Sequence, residues 1–510
     1  MYRTLVGIFT LTVIVTQAQN DLDAIRYSRV GVGGTARFVA MGGAFGAVGA
    51  DLSCAAYNPA GLGIYRTGAM AISAGLKTNN NSSSIYNRSS DLISANVAFS
   101  NLGIALNWPS KGDADSRHLL AFTNTQLQNF SNSVGMSGYT NSQSIAKDML
   151  NLANQYKPQS GNITNNLYSS YEGLGFNTFL LDTFNNKFFS NLDLKRSVRQ
   201  TRDIVTTGRV NDLNFSYAYS FKDDSYFGVS LGLPQVKYTS TTTHREYDDK
   251  DSMRVTITSP TSYTTTYVDG LPAVYPTQLG FNNLTYTEYF KTSGSGVNLK
   301  LGFIKRISDH LRLGAFYHTR TIYTMQDSYY SSLSVSYDYA PGNPTTVKDP
   351  TNGGTFSYKI ITPARMGLNA AYILDKKAVI AVDFERVNYS GAQLTSTNVA
   401  DFAGVNTVIK NKYKAASNIR VGAEYNLNPV MLRVGYNMQG SPFGDVFTGN
   451  FVRNTFSAGF GFRTKNNLSL DFTMARTMSN ENYYLFSTFN TVSKIKYNST
   501  MLTVTLGIKF

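Results

Sequence analysis

The chain holds one cysteine, Cys54, one tryptophan, Trp108, and four histidines in 510 residues. A lone thiol excludes a disulfide framework. Cys54 lies among small residues with no histidine near it in sequence, so it reads as a small buried side chain and not as a nucleophile. His118, His244, His310 and His318 show no metal-ligand spacing. No nucleophile motif accompanies them, so the sequence calls for neither an enzyme nor a cofactor or metal. Long apolar runs are also missing. After the first 15 residues none reaches the length that a membrane-spanning helix needs. No Pro-rich or charged linker divides the chain. Acidic residues are outnumbered, 32 against 46 Lys and Arg, for a net charge of +14. There is no basic run or recognition motif to turn that excess into nucleic-acid binding, and basic loops facing anionic lipid headgroups account for it.

The first residues follow the secretory pattern. Arg3 gives a positive start, Leu5 to Val15 is mostly apolar, and Thr16-Gln17-Ala18 is a small-residue cleavage site. Residues 1–18 are therefore expected to be removed. Over the full chain an unusual share of residues are Tyr (34) and Phe (31), while charged residues make up only 15% and the mean hydropathy is −0.20. Abundant aromatics without hydrophobic blocks fit strands that are apolar on one face only.

The second half alternates with period two. Leu502, Val504, Leu506, Ile508 and Phe510 alternate with Thr503, Thr505, Gly507 and Lys509, and Leu468, Leu470, Phe472 and Met474 alternate with Ser469, Asp471 and Thr473. Very short turns, such as Lys222-Asp223-Asp224, Asn428-Pro429 and Lys465-Asn466-Asn467, join strands into pairs, and longer segments separate the pairs. Short turns on one rim and long loops on the other describe an outer-membrane antiparallel β-barrel. The fold expected is thus all-β, a transmembrane barrel over residues 66–510, multi-pass by strands, in the outer membrane of a Gram-negative envelope. The terminal aromatic Phe510 resembles the signal that barrel-assembly machinery reads. A direct count gives about fifteen strands where a closed barrel of this kind needs an even number. The doubtful stretch is Asp91 to Phe130, where Gly103, Trp108 and Pro109 interrupt the pattern and mark a kink. Between Asn129 and Arg199 lies a large insertion with one helical face, Ile145, Met149, Leu152 and Tyr156, followed by a run of Phe and Leu. It reads as a self-packed loop, as a landing groove for greasy ligands, or as both at once.

Residues 19–65 differ from everything that follows. From Gly31 to Gly63 about half of the residues are Gly or Ala. Such a segment buries too little apolar area to build its own core, but it can pack backbone-to-wall inside a barrel. It ends in Tyr57-Asn58-Pro59-Ala60-Gly61-Leu62. There the chain resembles the FadL-like family of bacterial outer-membrane transporters for long-chain fatty acids and aromatic hydrocarbons. Ile361-Thr362-Pro363-Ala364-Arg365-Met366-Gly367-Leu368 and the stretch from Asn454 to Arg463 look like the same family. The resemblance implies a fourteen-stranded barrel holding an N-terminal hatch, with Asn58, Pro59, Ala60 and Gly61 as the hatch motif. It implies capture of ligand on outer loops, a site beside the hatch, and sideways release at an inward-kinked third strand. Gly103, Trp108 and Pro109 are the expected kink.

Parity places Lys300, Arg312, Arg365, Arg420, Arg433, Arg463 and Lys509 in the lumen, against Asp383, Glu385, Glu424 and Asp471. Seven cations against four carboxylates suit an anionic head group, and Arg365, Arg420, Arg433 and Arg463, with Phe45 and Tyr57, are the expected ligand contacts. An internal salt-bridge network that rigidifies the barrel is the competing account. The function expected is passive uptake of a hydrophobic or amphipathic, fatty acid-like molecule by a monomer that touches only this ligand, the surrounding membrane lipid and the assembly machinery. A haem-uptake receptor and a non-transporting structural or adhesive barrel are the alternatives.

Overall fold

A strand that is apolar on one face and polar on the other can turn the first to lipid and the second to a filled interior. The computed structural model builds that arrangement. It describes residues 21–510 apart from 142, 156–166, 168–169, 185–186, 251–253, 256–266, 269–270, 273–278, 340–342, 351–352, 376, 445–450 and 490. Residues 1–18, expected to be the secretory signal, lie outside the described residues, as does Tyr156.

Fourteen antiparallel strands form one closed wall. They are β1 (Ala69–Ile85), β2 (Arg88–Ser110), β3 (Asp113–Asn129, continued as Asn132–Asn141), β4 (Ser197–Phe221), β5 (Ser225–Tyr247), β6 (Leu279–Arg306) and β7 (Leu311–His318, continued as Ile322–Tyr339). The ring goes on through β8 (Gly354–Ile361, continued as Arg365–Leu374), β9 (Ala378–Asn388), β10 (Ala415–Asn426), β11 (Val430–Gln439), β12 (Arg453–Arg463), β13 (Leu468–Tyr484) and β14 (Val492–Lys509). The seam runs from Ala69 opposite Lys509 to Ser84 opposite Lys494, so no edge is left where the sheet begins and ends. The count of fifteen fails at the second strand, where residues 88–110 are one long strand. Its irregularity is a single extra residue, Ser100, skipped in the pairing with β1.

The direction of each face is settled by exposure. Leu502, Val504, Leu506 and Ile508 on β14 are 41–46% exposed, while Thr503 and Thr505 between them are 1% and 3% exposed. In a soluble sandwich the apolar set would be the buried one. Among the described residues no helix is long and apolar enough to cross a membrane. One rim carries only tight turns. The other carries the long connections, with one exception: β1 passes to β2 through Tyr86 and Asn87 alone, both in the left-handed region.

The insertion after β3 folds on itself over the long-loop rim. Helix α4 (Ile145–Gln155), helix α5 (Tyr171–Asn177) and a hairpin, Leu181–Phe184 with Lys187–Ser190, bury Ile145, Met149, Leu180, Leu181 and Phe189 almost completely. The self-packed account of this loop therefore covers most of its apolar residues among those described, while Phe179 stays exposed. Glu246 of β5 fixes the start of α4, accepting from Ser144 Oγ at 2.6 Å and from the Ile145 N–H at 2.7 Å.

The N-terminal segment threads the lumen. Short helices α1 (Asp21–Ser28), α2 (Ala36–Ala40) and α3 (Cys54–Tyr57) are joined by turns, and a 3-10 turn, Pro59–Ile64, leads to β1. With so little ladder of its own, its backbone is satisfied by lumen side chains. Thr505 Oγ1 accepts from the Ala36 N–H at 2.6 Å, Ser457 Oγ donates to Ala40 O at 2.9 Å, and Asp383 accepts from the Gly46 N–H at 3.0 Å. Asn58 is fully buried. Its amide donates to Gly46 O at 2.6 Å and its oxygen accepts from the Ala60 N–H at 3.2 Å, which sets the turn that Pro59 opens. Cys54 is buried behind it, and burial pushes its thiol pKa up, as expected of an inert side chain.

The wall is notched to receive this turn. Gly228 of β5 and Gly302 of β6 face each other across the ladder. A Cβ on Gly302 would fall 2.0 Å from Asn58 Oδ1, and one on Gly228 would fall 2.2 Å from the Pro59 carbonyl carbon. Gly302→Val should leave a barrel that still migrates as folded on an unheated gel, expose the segment around Asn58 to limited proteolysis, and cost about 1–3 kcal/mol in denaturant titration. Unchanged protection of the segment would mean that the notch does not seat it.

Candidate functional site

The wall is incomplete at one place. The β2–β3 ladder runs from Pro109 opposite Arg117 up to Asn101 opposite Thr125 and ends there. Above that level β2 stays paired with β1, while the second piece of β3 pairs only with β4, Asn132 opposite Thr206 through Asn141 opposite Ser197. Near the end of the first piece Leu127 is skipped in the β4 register. The lumen-facing side chains of β1 bond to the backbone of this upper piece, so β3 has turned inward, across the inner face of β1. On the lipid side, Ile93 and Val97 of β2 are 74% and 79% exposed, well above the 41–46% of the flanked β14 residues, because one neighbouring strand is missing.

This corrects the expected position of the kink. Gly103, Trp108 and Pro109 belong to the second strand and sit in continuous register opposite Thr123, His118 and Arg117. Trp108 stacks on His118, with ring centroids 5.8 Å apart, at the short-turn end. Pro109 is tolerated there because it closes the strand beside a turn. The break is at Gln126–Ser131 of the third strand, a stretch with neither Gly nor Pro.

The N-terminal segment lies against the break. The Gly31 N–H donates to Leu127 O at 2.9 Å, and a Cβ on Gly33 would lie 1.8 Å from Gln126 O. Above this contact the lumen is aromatic where barrels are usually polar. Phe130, at the break, meets Tyr238 at 5.2 Å and Tyr27 at 6.1 Å between centroids, and Tyr238 meets Phe290 at 6.2 Å. The Arg26 guanidinium sits 4.3 Å from the Tyr238 ring centroid.

A family model for an outer membrane protein transport protein (OMPP1/FadL/TodX) matches residues 185–507. The chain belongs to this family. No curated protein matches it. Among solved structures, a Pseudomonas aeruginosa FadL homologue is similar at 11% identity and a TM-score of 0.52, over 94% of this chain and 99% of that one. The Ralstonia pickettii toluene transporter TbuX (15% identity, TM-score 0.47, 94% and 99% covered) and the Pseudomonas putida toluene transporter TodX (13%, 0.48, 94% and 98%) are also similar. At such identities the first bears on fold alone and the other two carry no argument. As an OMPP1/FadL/TodX protein the chain is an outer-membrane transport channel and not an enzyme.

In this family member the arginines expected to hold a head group divide. Arg365 and Arg420 both bind Glu385, at 3.1 and 3.0 Å, and Asn418 adds a third donor at 2.6 Å. Arg365 also donates to Ser28 O of the internal segment. Arg433 joins Glu424 and Asp471, each at 2.6 Å, and Glu424 takes a second, bidentate partner in Arg37 at 2.8 and 2.9 Å. Three of the four guanidinium groups are thus held by carboxylates, as the salt-bridge account requires. Arg463 is exposed at the short-turn rim. It lines a cavity of about 60 Å³ with Lys509 and Arg37, far below the ~300 Å³ where ligand pockets begin. Phe45 is buried against Phe38, and Tyr57 Oη bonds Gly31 O at 3.0 Å, so both hold the segment's own fold.

Sequence reasoning missed Arg37 and Arg29. Arg37 ties the segment to the wall through Glu424. Arg29 is 7% exposed, reaches Gly440 O at 3.4 Å, and its Nε has no partner among the described residues. Neither carries a local signal, because each is defined by what faces it across the lumen. Glu424→Gln should cost about 3–5 kcal/mol in denaturant unfolding, since Arg37 and Arg433 lose their shared carboxylate. Arg463→Gln should change stability by less than about 0.5 kcal/mol. Equal effects of the two would show that the network is not what ties the segment in place.

Proposed function

We propose that the chain is a passive channel for hydrophobic or amphipathic small molecules of fatty acid-like class, released sideways into the membrane where β3 leaves β2. The observation that carries this reading is the end of the β2–β3 ladder at Asn101 and Thr125, beside an aromatic stretch of lumen and the N-terminal segment. An amphiphile that leaves through the wall avoids crossing the polar headgroup layer, and a hatch below the opening blocks leakage of polar solutes. Family membership supports transport of this kind. Asn58, Pro59, Ala60 and Gly61 act as the hatch motif, seated on the glycine notch. Arg29 is buried and has no ion pair to a carboxylate among the described residues, while Arg463, which also has none, is exposed at the rim, so Arg29 is the better head-group contact than Arg365, Arg420, Arg433 or Arg463. Secretion through residues 1–18, insertion by the barrel-assembly machinery reading Phe510, and a monomeric state complete the proposal.

The direct test is to purify the barrel, extract it, and identify co-purifying molecules by mass spectrometry. Long-chain fatty acid supports the reading, porphyrin moves it to haem uptake, and a lumen without any lipid-like molecule counts against both. Deleting residues 31–63 should leave an assembled barrel whose permeability to small polar solutes rises. Unchanged permeability would reduce the segment to a passive tether.

A further inference from the structure

The upper piece of β3 has given up β2 as a partner, yet the odd-numbered carbonyls across the break and into this piece, from Asn129 to Gly135, find donors on β1. Every second residue of β1 from Lys77 to Ser83 donates to them. Lys77 Nζ reaches Asn129 O at 3.0 Å and Ser131 O at 2.9 Å, and the Asn79 amide reaches Ser131 O at 3.1 Å. The Asn81 amide reaches Ser133 O at 2.8 Å, and Ser83 Oγ reaches Gly135 O at 2.5 Å. The even-numbered carbonyls point the other way, with Phe130 O accepting from Thr206 of β4 at 2.7 Å. The odd-numbered carbonyls are therefore the ones that a complete wall would have turned toward β2. Four polar side chains in strict alternation on β1 stand in for that missing backbone.

We infer that Lys77, Asn79, Asn81 and Ser83 form a docking track that holds the wall open, and that without it β3 re-pairs with β2 and closes the opening. A buried carbonyl left without a donor costs about 1–3 kcal/mol, so the upper piece of β3 is held either on the track or back in the ladder. Extended without a slip, the register that ends at Asn101 opposite Thr125 would set Ile93 opposite Ser133. These are positioning residues. They touch the strand that shapes the exit and need not touch the ligand. The inference rests on the sideways-release reading for its bearing on transport, but not for the structural switch itself.

The test places cysteines at Ile93 and Ser133 in full-length protein carrying Cys54→Ala, in native outer membranes, and measures oxidative cross-linking with and without Asn79→Ala, Asn81→Ala and Ser83→Ala together. Cross-link yield should rise at least ~fivefold on loss of the track, and uptake of a fluorescent fatty acid should fall by a similar factor. Ser83→Thr, which keeps the donor, should behave as the unaltered track. Should the triple variant fail to assemble, as judged on an unheated gel, Lys77→Met alone should give the same direction of change. Unchanged cross-linking in an assembled barrel overturns the inference, because β4 alone would then be holding β3 in place. A raised yield with undiminished uptake upholds the switch and sinks sideways release.

Discussion

Every backbone N–H and C=O at membrane depth must be satisfied within the protein, and most of this structure follows from that requirement. The seam between β1 and β14 meets it for the wall as a whole. Two stretches cannot meet it through a ladder, the N-terminal segment and the upper piece of β3. In both cases polar side chains on the lumen face take over. Thr505, Ser457 and Asp383 bond the backbone of the segment, and Lys77, Asn79, Asn81 and Ser83 bond that of the strand. The lumen face is polar here because it has irregular backbone to hold, more than because it has water to meet.

The charges follow the same logic. Seven cations against four carboxylates looked like a surplus waiting for an anion. In the folded chain the carboxylates are shared, Glu385 between Arg365 and Arg420, and Glu424 between Arg37 and Arg433. Each shared carboxylate brings a residue of the segment, or its backbone, into contact with the wall. A buried network of this type is strongly penalised when one member is removed, which makes it a device for fixing one arrangement.

The barrel itself was legible in the sequence because its signal is local. Period-two alternation, tight turns on one rim and a Gly/Ala-rich start need no knowledge of partners, and helix α4 showed its apolar face in the spacing of Ile145, Met149 and Leu152. The break was not legible. Gly103 and Pro109 are the residues that a local rule selects, yet the ladder passes through both. Gln126 to Ser131 contains no breaker, and it yields because Gly31 and Gly33 press on it from inside while β1 offers its neighbour another set of donors. The pairing of Arg365 and Arg420 with one carboxylate was out of reach for a related reason. Parity gives the face of a residue but not the register that decides what lies opposite.

The course of the N-terminal segment has a consequence for how the protein is made. Asp21 meets Lys412 at 2.7 Å near the long-loop rim, and the Ala36 N–H meets Thr505, on the last strand, toward the other end. The chain's beginning therefore runs through the ring that its end closes. A finished barrel would have to admit this segment past the ion pairs of Arg37 and Arg365, whereas a wall that is still open can fold around it. Arg37, joined to Arg433 of β11 through Glu424 of β10, ties an early stretch of the chain to strands that come nearly four hundred residues later.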